Sequence, residues 1–361
     1  MQIRPFLQHY QPESYIHTED APGLLDCALG TNPFGPPPTV LEMRLRPETF
    51  SAYPPIDAAD FRRALAGYWQ GAAPTITADD FTVGAGSFGI LERIIQLFLG
   101  RGDTVLGYAP QFSDILLAVN ACGGRYIYHP LSPEDGYRFS AEGLAALLSP
   151  AVKLVYLDNP NNPTGQVIPV EAIDAIAHAA AQTDSCAVVD EAYGEFMPRE
   201  NSAITLLGKH DNLMVVRSFS KGWGLAGLRV GYLAAGTALR EAYHKVDSPF
   251  TVTTPGLLLA AAALQDASHL PAGMAAMAER KTRLLACLTR LWAAKTAPAT
   301  PIVMLSAPKG TDLFAAFRQR GVLPAALAGF ATLGPQQVRL RLPRHGMEHL
   351  LQAVAAIEAA M

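Results

Sequence analysis

From residue 81 onward the chain alternates two textures. Short continuous apolar runs are followed by longer stretches whose apolar positions recur at helical spacing. The clearest unit is FTVGAGSFGILERIIQLFL, which reads as a strand, a turn of small residues and a helix. Further apolar runs predict strands at 104–106, 125–131, 154–157, 187–189, 214–216 and 230–234. Helical spacing predicts helices at 60–68, 114–121, 144–148 and 171–182. These strands are apolar throughout rather than alternating, so both faces are covered. The expectation is an α/β fold with a mostly parallel central sheet sandwiched by helices.

After Ser248-Pro249 the texture turns helical and alanine-rich. Helices are predicted at 255–264 and 274–294, the second with Arg280, Lys281, Arg283 and Arg290 on outer positions. A strand at 302–305, a helix at 313–320, a strand at 338–342 and a last helix at 349–360 then describe a smaller α/β unit. Three parts are expected: an N-terminal arm over 1–30, a large domain over 31–250 and a small C-terminal domain over 251–361. His9, Tyr10, Tyr15 and His17 in the arm read as packing residues. In GTNPFGPPP, residues 30–38, the prolines forbid helix and central strand, so an ordered loop is expected, with another extended turn at 51–54.

Composition narrows the function classes. A chain of 361 residues is too long for one compact core. Half of it is apolar, 17% is charged and the net charge is −4, which argues against nucleic acid or an anionic membrane surface as the main partner. Cys27, Cys122, Cys186 and Cys287 are scattered without a CxxC pair. They read as reduced thiols of a cytoplasmic protein, neither disulfides nor metal ligands. The first residues lack a signal-like apolar segment, and the apolar run 257–264 is far too short to span a bilayer.

The chemistry concentrates between Asp190 and Arg229. One apolar strand delivers Asp190, with Tyr193 three residues on. A second delivers Ser218, Ser220 and Lys221, and Arg229 follows eight residues after the lysine. An aldehyde needs a lysine amine to hold it covalently, a pyridine nitrogen needs a carboxylate to keep it protonated, and a phosphate needs hydroxyls and a guanidinium. Pyridoxal 5′-phosphate asks for all of these together. The glycine turn GAGS departs from the dinucleotide pattern, so a nicotinamide site is rejected.

These motifs, with TNPFGPP, AYP, YAPQF, NPNNPTG, VVDEAY, SFSKGWGLAGLRVGY and VRLRL in this order, cover nearly the whole chain. The chain resembles the fold-type I pyridoxal-phosphate-dependent aminotransferases of class I/II. Within them it is most similar to the histidinol-phosphate aminotransferase and threonine-phosphate decarboxylase branch. The resemblance implies that Lys221 holds the cofactor and later carries the Cα proton, and that Asp190 pairs with the ring nitrogen. It implies that Tyr193 and Asn162 bond the phenolic oxygen and that Phe112 stacks on the ring. Gly86, Ser87, Ser218, Ser220 and Arg229 would form the phosphate cup, the first two at a helix start. Tyr53 would reach the phosphate of a partner subunit in a homodimer with shared sites. Arg339 would grip the substrate's anionic end, with the loop around Asn32 bordering the substrate. Arg339 also alternates with apolar residues as a solvent-facing residue does, and Arg341, on the same strand face, reads equally as surface or as second anchor.

One departure bears on substrate. Relatives in that branch usually carry an arginine after a Gly-Val-Leu-like stretch in the small domain. Here Gly321 to Leu327 holds no basic residue, and Ala52 stands where relatives often have arginine. The expectation is a non-phosphorylated amino acid held through its α-carboxylate, with histidinol phosphate left open if Arg341, Arg344 or an N-terminal residue substitutes. The same cofactor residues would serve amino-group transfer, a decarboxylase or lyase reaction, or an oxidase or cyclase. A non-catalytic effector-sensing domain is the weakest of these readings, since Lys221 is present and no basic DNA-binding extension accompanies it.

Overall fold

The computed structural model describes Ile3, Arg4, Leu7, residues 23–327 and residues 329–361. His9, Tyr10, Tyr15 and His17 lie outside the described residues. Twelve strands occur among the described residues: β1 (Leu25–Cys27), β2 (Phe81–Ala85), β3 (Thr104–Ala109), β4 (Arg125–Pro130), β5 (Val152–Asp158), β6 (Cys186–Glu191), β7 (Leu213–Ser218), β8 (Val230–Ala235), β9 (Trp292–Ala293), β10 (Ile302–Ser306), β11 (Val322–Ala326) and β12 (Gln337–Arg341).

Seven strands form the large sheet, in the order β2-β8-β7-β6-β5-β3-β4. The pairs from β7 through β4 are parallel, and β8 runs antiparallel to both neighbours. The apolar strands explain the layers. Val155, Leu157, Ala187, Val189, Leu213 and Val215 pack on one face, with the helices Ala59–Trp69, Val170–Ala181 and Thr254–Leu264. Their alternate neighbours Leu154, Tyr156, Val188, Met214 and Val216 pack on the other, with the helices Gly86–Phe98 and Ile115–Ala121. A strand whose every residue is buried has no polar face, which is why no alternation was visible. The parallel strands β5, β6 and β7 all end on one edge, where ligands bind in sheets of this kind.

A second sheet, in the order β1-β11-β12-β10-β9, has its own core around Val303, Leu305, Phe317, Leu340 and Val354. The strand β1, from the stretch expected to be an arm, pairs in parallel with β11. The short strands β1, β9 and β11 were not legible in the sequence, because two or three residues carry no period and β11 contains Pro324.

Two helix expectations shift. The helix expected at 144–148 lies at Ala141–Ala145, where the Ser140 hydroxyl caps it by accepting from the Gly143 N–H at 3.0 Å. The helix expected over 274–294 is His269–Ala286, so Arg290 falls beyond it. Lys281 is not on its outer side. It follows Met277 by four residues and precedes Leu284 by three, and all three are buried on one face. No helix among the described residues is long and apolar enough to cross a membrane.

Candidate active site

At the carboxyl edge of the large sheet, a pocket of about 240 Å³ is lined by residues that include Ser87, Phe112, Asn162, Asp190, Tyr193, Ser218, Ser220, Lys221 and Arg229. Nearly every position the sequence proposed for a cofactor is brought to this one cavity.

Asp190 sits at the end of β6, buried beside the chemistry. Its carboxylate accepts from the Tyr156 hydroxyl at 3.0 Å and from the Ala192 N–H at 3.0 Å. Burial pushes its carboxyl up to about 7, and the neighbouring Asp158 pushes the same way. Such a carboxyl ionises readily only when a cation faces it, as a protonated ring nitrogen would.

Lys221 follows β7, with its amine 5.3 Å from the centre of the Tyr193 ring. Gly30 passes so close that a Cβ there would overlap the Tyr193 hydroxyl and approach the Lys221 amine to 3.6 Å. That hydroxyl donates to the Gly30 carbonyl at 3.1 Å. Asn32 anchors the same loop, donating to the Gly222 carbonyl at 2.6 Å, and its oxygen accepts from the Phe34 N–H at 2.9 Å. Asn32 is therefore held to the backbone next to the lysine.

An anion cradle lies on the far side. The helix Gly86–Phe98 begins without a side-chain cap, and Ser87 in its first turn lines the pocket, a setting suited to an anion. Ser218 and Ser220 hydroxyls are 2.8 Å apart, and Arg229 donates to Ser220 at 3.3 Å and to the Ala226 carbonyl at 3.0 Å. Gly86 has φ +72°, and a Cβ on it would lie 2.6 Å from the Arg229 guanidinium. Only glycine lets that guanidinium rest against the helix start.

On the substrate side, Arg339 is 1% exposed. It donates to the Asn162 side-chain oxygen at 2.8 Å and to the Ala28 carbonyl at 2.5 Å. The solvent-facing alternative that the alternation along β12 allowed does not hold, because both faces of that strand are buried. Arg341 is buried as well and is tied to Asp26, donating to its carboxylate at 2.9 Å. Phe112 lies edge-on to Phe88, with ring centres 6.4 Å apart. Gly86, Asn32 and Arg339 border the pocket without lining it, and Tyr53 is not brought to it within one chain. It is 82% exposed and packs on Phe250 at 4.9 Å.

Two groups of residues escaped the sequence reading. Asp158, at the end of β5, accepts from the Tyr108 hydroxyl at 2.7 Å, from the Asn162 N–H at 2.9 Å and from the Phe112 N–H at 3.3 Å. It fixes the two turns that carry Asn162 and Phe112. An aspartate at a strand end before NPNNP was its signal. Arg217 is fully buried between Glu191 at 2.7 Å and Glu195 at 2.9 Å, over the Trp69 ring at 4.9 Å. Its strand position inside an apolar run concealed it. No cluster of metal-ligating side chains occurs among the described residues, and all four cysteines are free thiols.

The fold and this site define a fold-type I pyridoxal-phosphate-dependent protein. The aminotransferase class I and II model matches residues 23–357, and the chain belongs to that family. It is 38% identical over 240 residues to the histidinol-phosphate aminotransferase of Methanococcoides burtonii, a match covering 66% of this chain and 64% of that protein. The match thus spans just under two thirds of the relative's length. The histidinol-phosphate aminotransferase of Ruminiclostridium cellulolyticum is 28% identical over 82% of both chains. Among solved structures, the histidinol-phosphate aminotransferase from Sinorhizobium meliloti in complex with pyridoxal-5′-phosphate superposes with a TM-score of 0.84. It has 26% identity and covers 99% of this chain and 98% of that one. The Thermus thermophilus aspartate aminotransferase shares the fold, with a TM-score of 0.82 at 24% identity over 93% and 92% of the chains.

The residues present fit pyridoxal phosphate. The cradle of helix start, two hydroxyls and a guanidinium suits a phosphate. The buried Asp190 suits a protonated pyridine, and Lys221 suits the aldehyde.

Proposed function

We propose that the protein is a pyridoxal-phosphate-dependent aminotransferase that moves an amino group from an amino donor to a 2-oxo acid. The observation that carries this reading is that Lys221, Asp190 and Asn162 line one pocket, with Arg339 bonded to Asn162 at its rim. When bound, the cofactor supplies an electron sink for the charge left at the donor's Cα. Lys221 holds the cofactor and then takes the Cα proton on its amine, as a base placed at the reacting carbon. Asp190 keeps the ring nitrogen protonated. Ser87, Ser218, Ser220 and Arg229 hold the phosphate, and Phe112 covers the ring. Tyr193 and Asn162 orient the phenolic oxygen.

Arg339 receives the donor's anionic end. Arg341 is engaged by Asp26, and residues 321–327 carry no basic side chain. A phosphate dianion wants more than one cation, each charge-assisted bond being worth about 1.5–3 kcal/mol. A free amino acid held by its α-carboxylate therefore fits better. The names of the relatives favour a second reading, histidinol phosphate as donor. The exposed Tyr53–Phe250 pair supports a homodimer with shared sites. The two sheets support domains over 31–250 and 251–361, and the free thiols support a cytoplasmic location.

The test is a donor panel of free basic, aromatic and aliphatic amino acids, phosphothreonine and histidinol phosphate, each with a 2-oxo acid. Cofactor absorbance and product mass are followed. Turnover of a free amino acid, lost in Lys221→Ala, is expected. Efficient turnover of histidinol phosphate would select the second reading. Release of carbon dioxide or uptake of oxygen would overturn transamination.

A further inference from the structure

Lys281 has a setting that the chemistry above does not use. It lies on the helix His269–Ala286 and is 1% exposed. Its ammonium meets four oxygens: the Thr296 hydroxyl at 2.8 Å, the Ala297 carbonyl at 2.6 Å, the Thr300 hydroxyl at 2.7 Å and the Ile302 carbonyl at 3.0 Å. No carboxylate is among them. Burial pulls the ammonium's pKa well below the usual lysine range, while the four oxygens, accepting from its N–H groups, favour the charged form. An unpaired buried charge is costly, so a shell of convergent dipoles around it marks a built feature.

The same shell touches the turn that carries Asn162. Thr300 donates its hydroxyl to the Gly165 carbonyl at 3.0 Å, and the Ala297 N–H donates to it at 2.8 Å. Gly165 has φ +76°, and a Cβ there would lie 2.5–2.7 Å from the Ile302 carbonyl and the hydroxyls of Thr296 and Thr300. Its N–H donates to the Asn161 carbonyl at 2.8 Å. Ile302 opens β10, in which Met304 is the register partner of Arg339. One ammonium thus sits where the Asn162 turn of the large sheet meets the strand pair that carries Arg339.

We propose that Lys281 is a positioning residue for substrate binding, serving as a built-in monovalent cation that locks this junction and so sets Asn162 and Arg339 against each other. The proposal rests on the functional reading above only for its kinetic arm. Four oxygens of this kind, carbonyls and hydroxyls, are also what strips a potassium ion of its hydration shell. Removing the lysine side chain leaves a cage for a small cation, whereas filling it with an apolar chain of similar length does not.

The experiment compares the wild-type holoprotein with Lys281→Ala and Lys281→Met, in potassium, ammonium or choline chloride at equal ionic strength. Lys281→Ala in choline should raise the donor KM by about tenfold while kcat changes far less, the loss of about one good hydrogen bond in binding. Cofactor absorbance should stay unchanged. Potassium or ammonium should restore the KM in Lys281→Ala and leave Lys281→Met unrestored. Amide exchange read by mass spectrometry over residues 159–166 and 293–302 should quicken in Lys281→Ala and slow again with potassium, a readout that needs no turnover. If Lys281→Ala does not fold, Thr300→Val removes one oxygen of the cage and should raise the donor KM in the same way. An unchanged KM, or amide exchange and KM that ignore potassium and ammonium, overturns the proposal. Absence of turnover by wild type on every donor would instead strike the functional reading, leaving the exchange measurement to decide this one.

Discussion

Asp158 and Asp190 stand side by side, register partners at the carboxyl ends of the parallel strands β5 and β6. Both are buried, and burial raises both carboxyls. The two acids differ in their partners. Asp158 is wrapped in donors from Tyr108, Asn161, Asn162 and Phe112. Asp190 keeps fewer, and its carboxyl is pushed up to about 7. One acid is spent on architecture, and the other is left needing a cation.

That difference gives a pH dependence to the cofactor-free protein. The folded Asp190 carboxyl, near 7, lies above its unfolded value of about 4. The native state therefore holds a proton that the unfolded chain has lost, and stability falls as pH rises from about 4 through about 7. The contribution is bounded at about 4 kcal/mol, from 1.36 kcal/mol per pH unit. Asp190→Asn should flatten this part of the melting profile of the apoprotein between pH 5 and 8. The holoprotein of the same variant should lose most of its Cα-proton chemistry. Parallel melting curves for wild type and variant would refute the assignment.

Gly86→Ala should weaken the hold on the phosphate without touching a polar side chain. The added methyl meets the Arg229 guanidinium at 2.6 Å on a backbone with positive φ. Displacing one charge-assisted bond of about 1.5–3 kcal/mol predicts at least a tenfold loss of cofactor affinity. Equilibrium dialysis against pyridoxal phosphate measures it, and Arg229→Ala should show a loss of at least the same size.

Arg217 ties β7, which leads to Lys221, to Glu191 at the end of β6 and to Glu195 just beyond it. Arg217→Met leaves two buried carboxyls without their cation and should cost about 3–5 kcal/mol. Glu195→Gln keeps an acceptor for the guanidinium and should cost far less. Denaturant unfolding of the two variants checks the order, and equal losses would contradict it.

Tyr53 and Phe250 pack together on the outside of the chain, 4.9 Å apart. If Tyr53 serves a neighbouring subunit's phosphate, Tyr53→Ala and Lys221→Ala should each be inactive or nearly so. Dimers mixed from the two should regain one intact site in each hybrid. A fully active monomer at working concentration would rule this out.

The sequence by itself determined the large sheet. Its central parallel strands carry continuous apolar runs broken by few charges, its helices carry their period, and both signals are local. It also singled out the candidate cofactor residues, which the fold then gathers around one pocket. Lys221, Asp190, Ser218, Ser220 and Arg229 sit in motifs whose spacing follows from strand ends meeting one ligand. Tertiary structure alone decided the polar residues that do not fit their local pattern. Arg339 and Arg341 alternate like surface residues, yet both faces of β12 are covered. Lys281 sits on a helix among other basic residues, and only the loop 296–302 folding over it makes it interior. Asp158 joins its own turn to Tyr108 and Phe112 nearly fifty residues earlier, and Arg217 joins Glu191 and Glu195 across strands. Burial of a charge is a property of what closes over it, and that is set by contacts between segments, not by the segment that carries the charge.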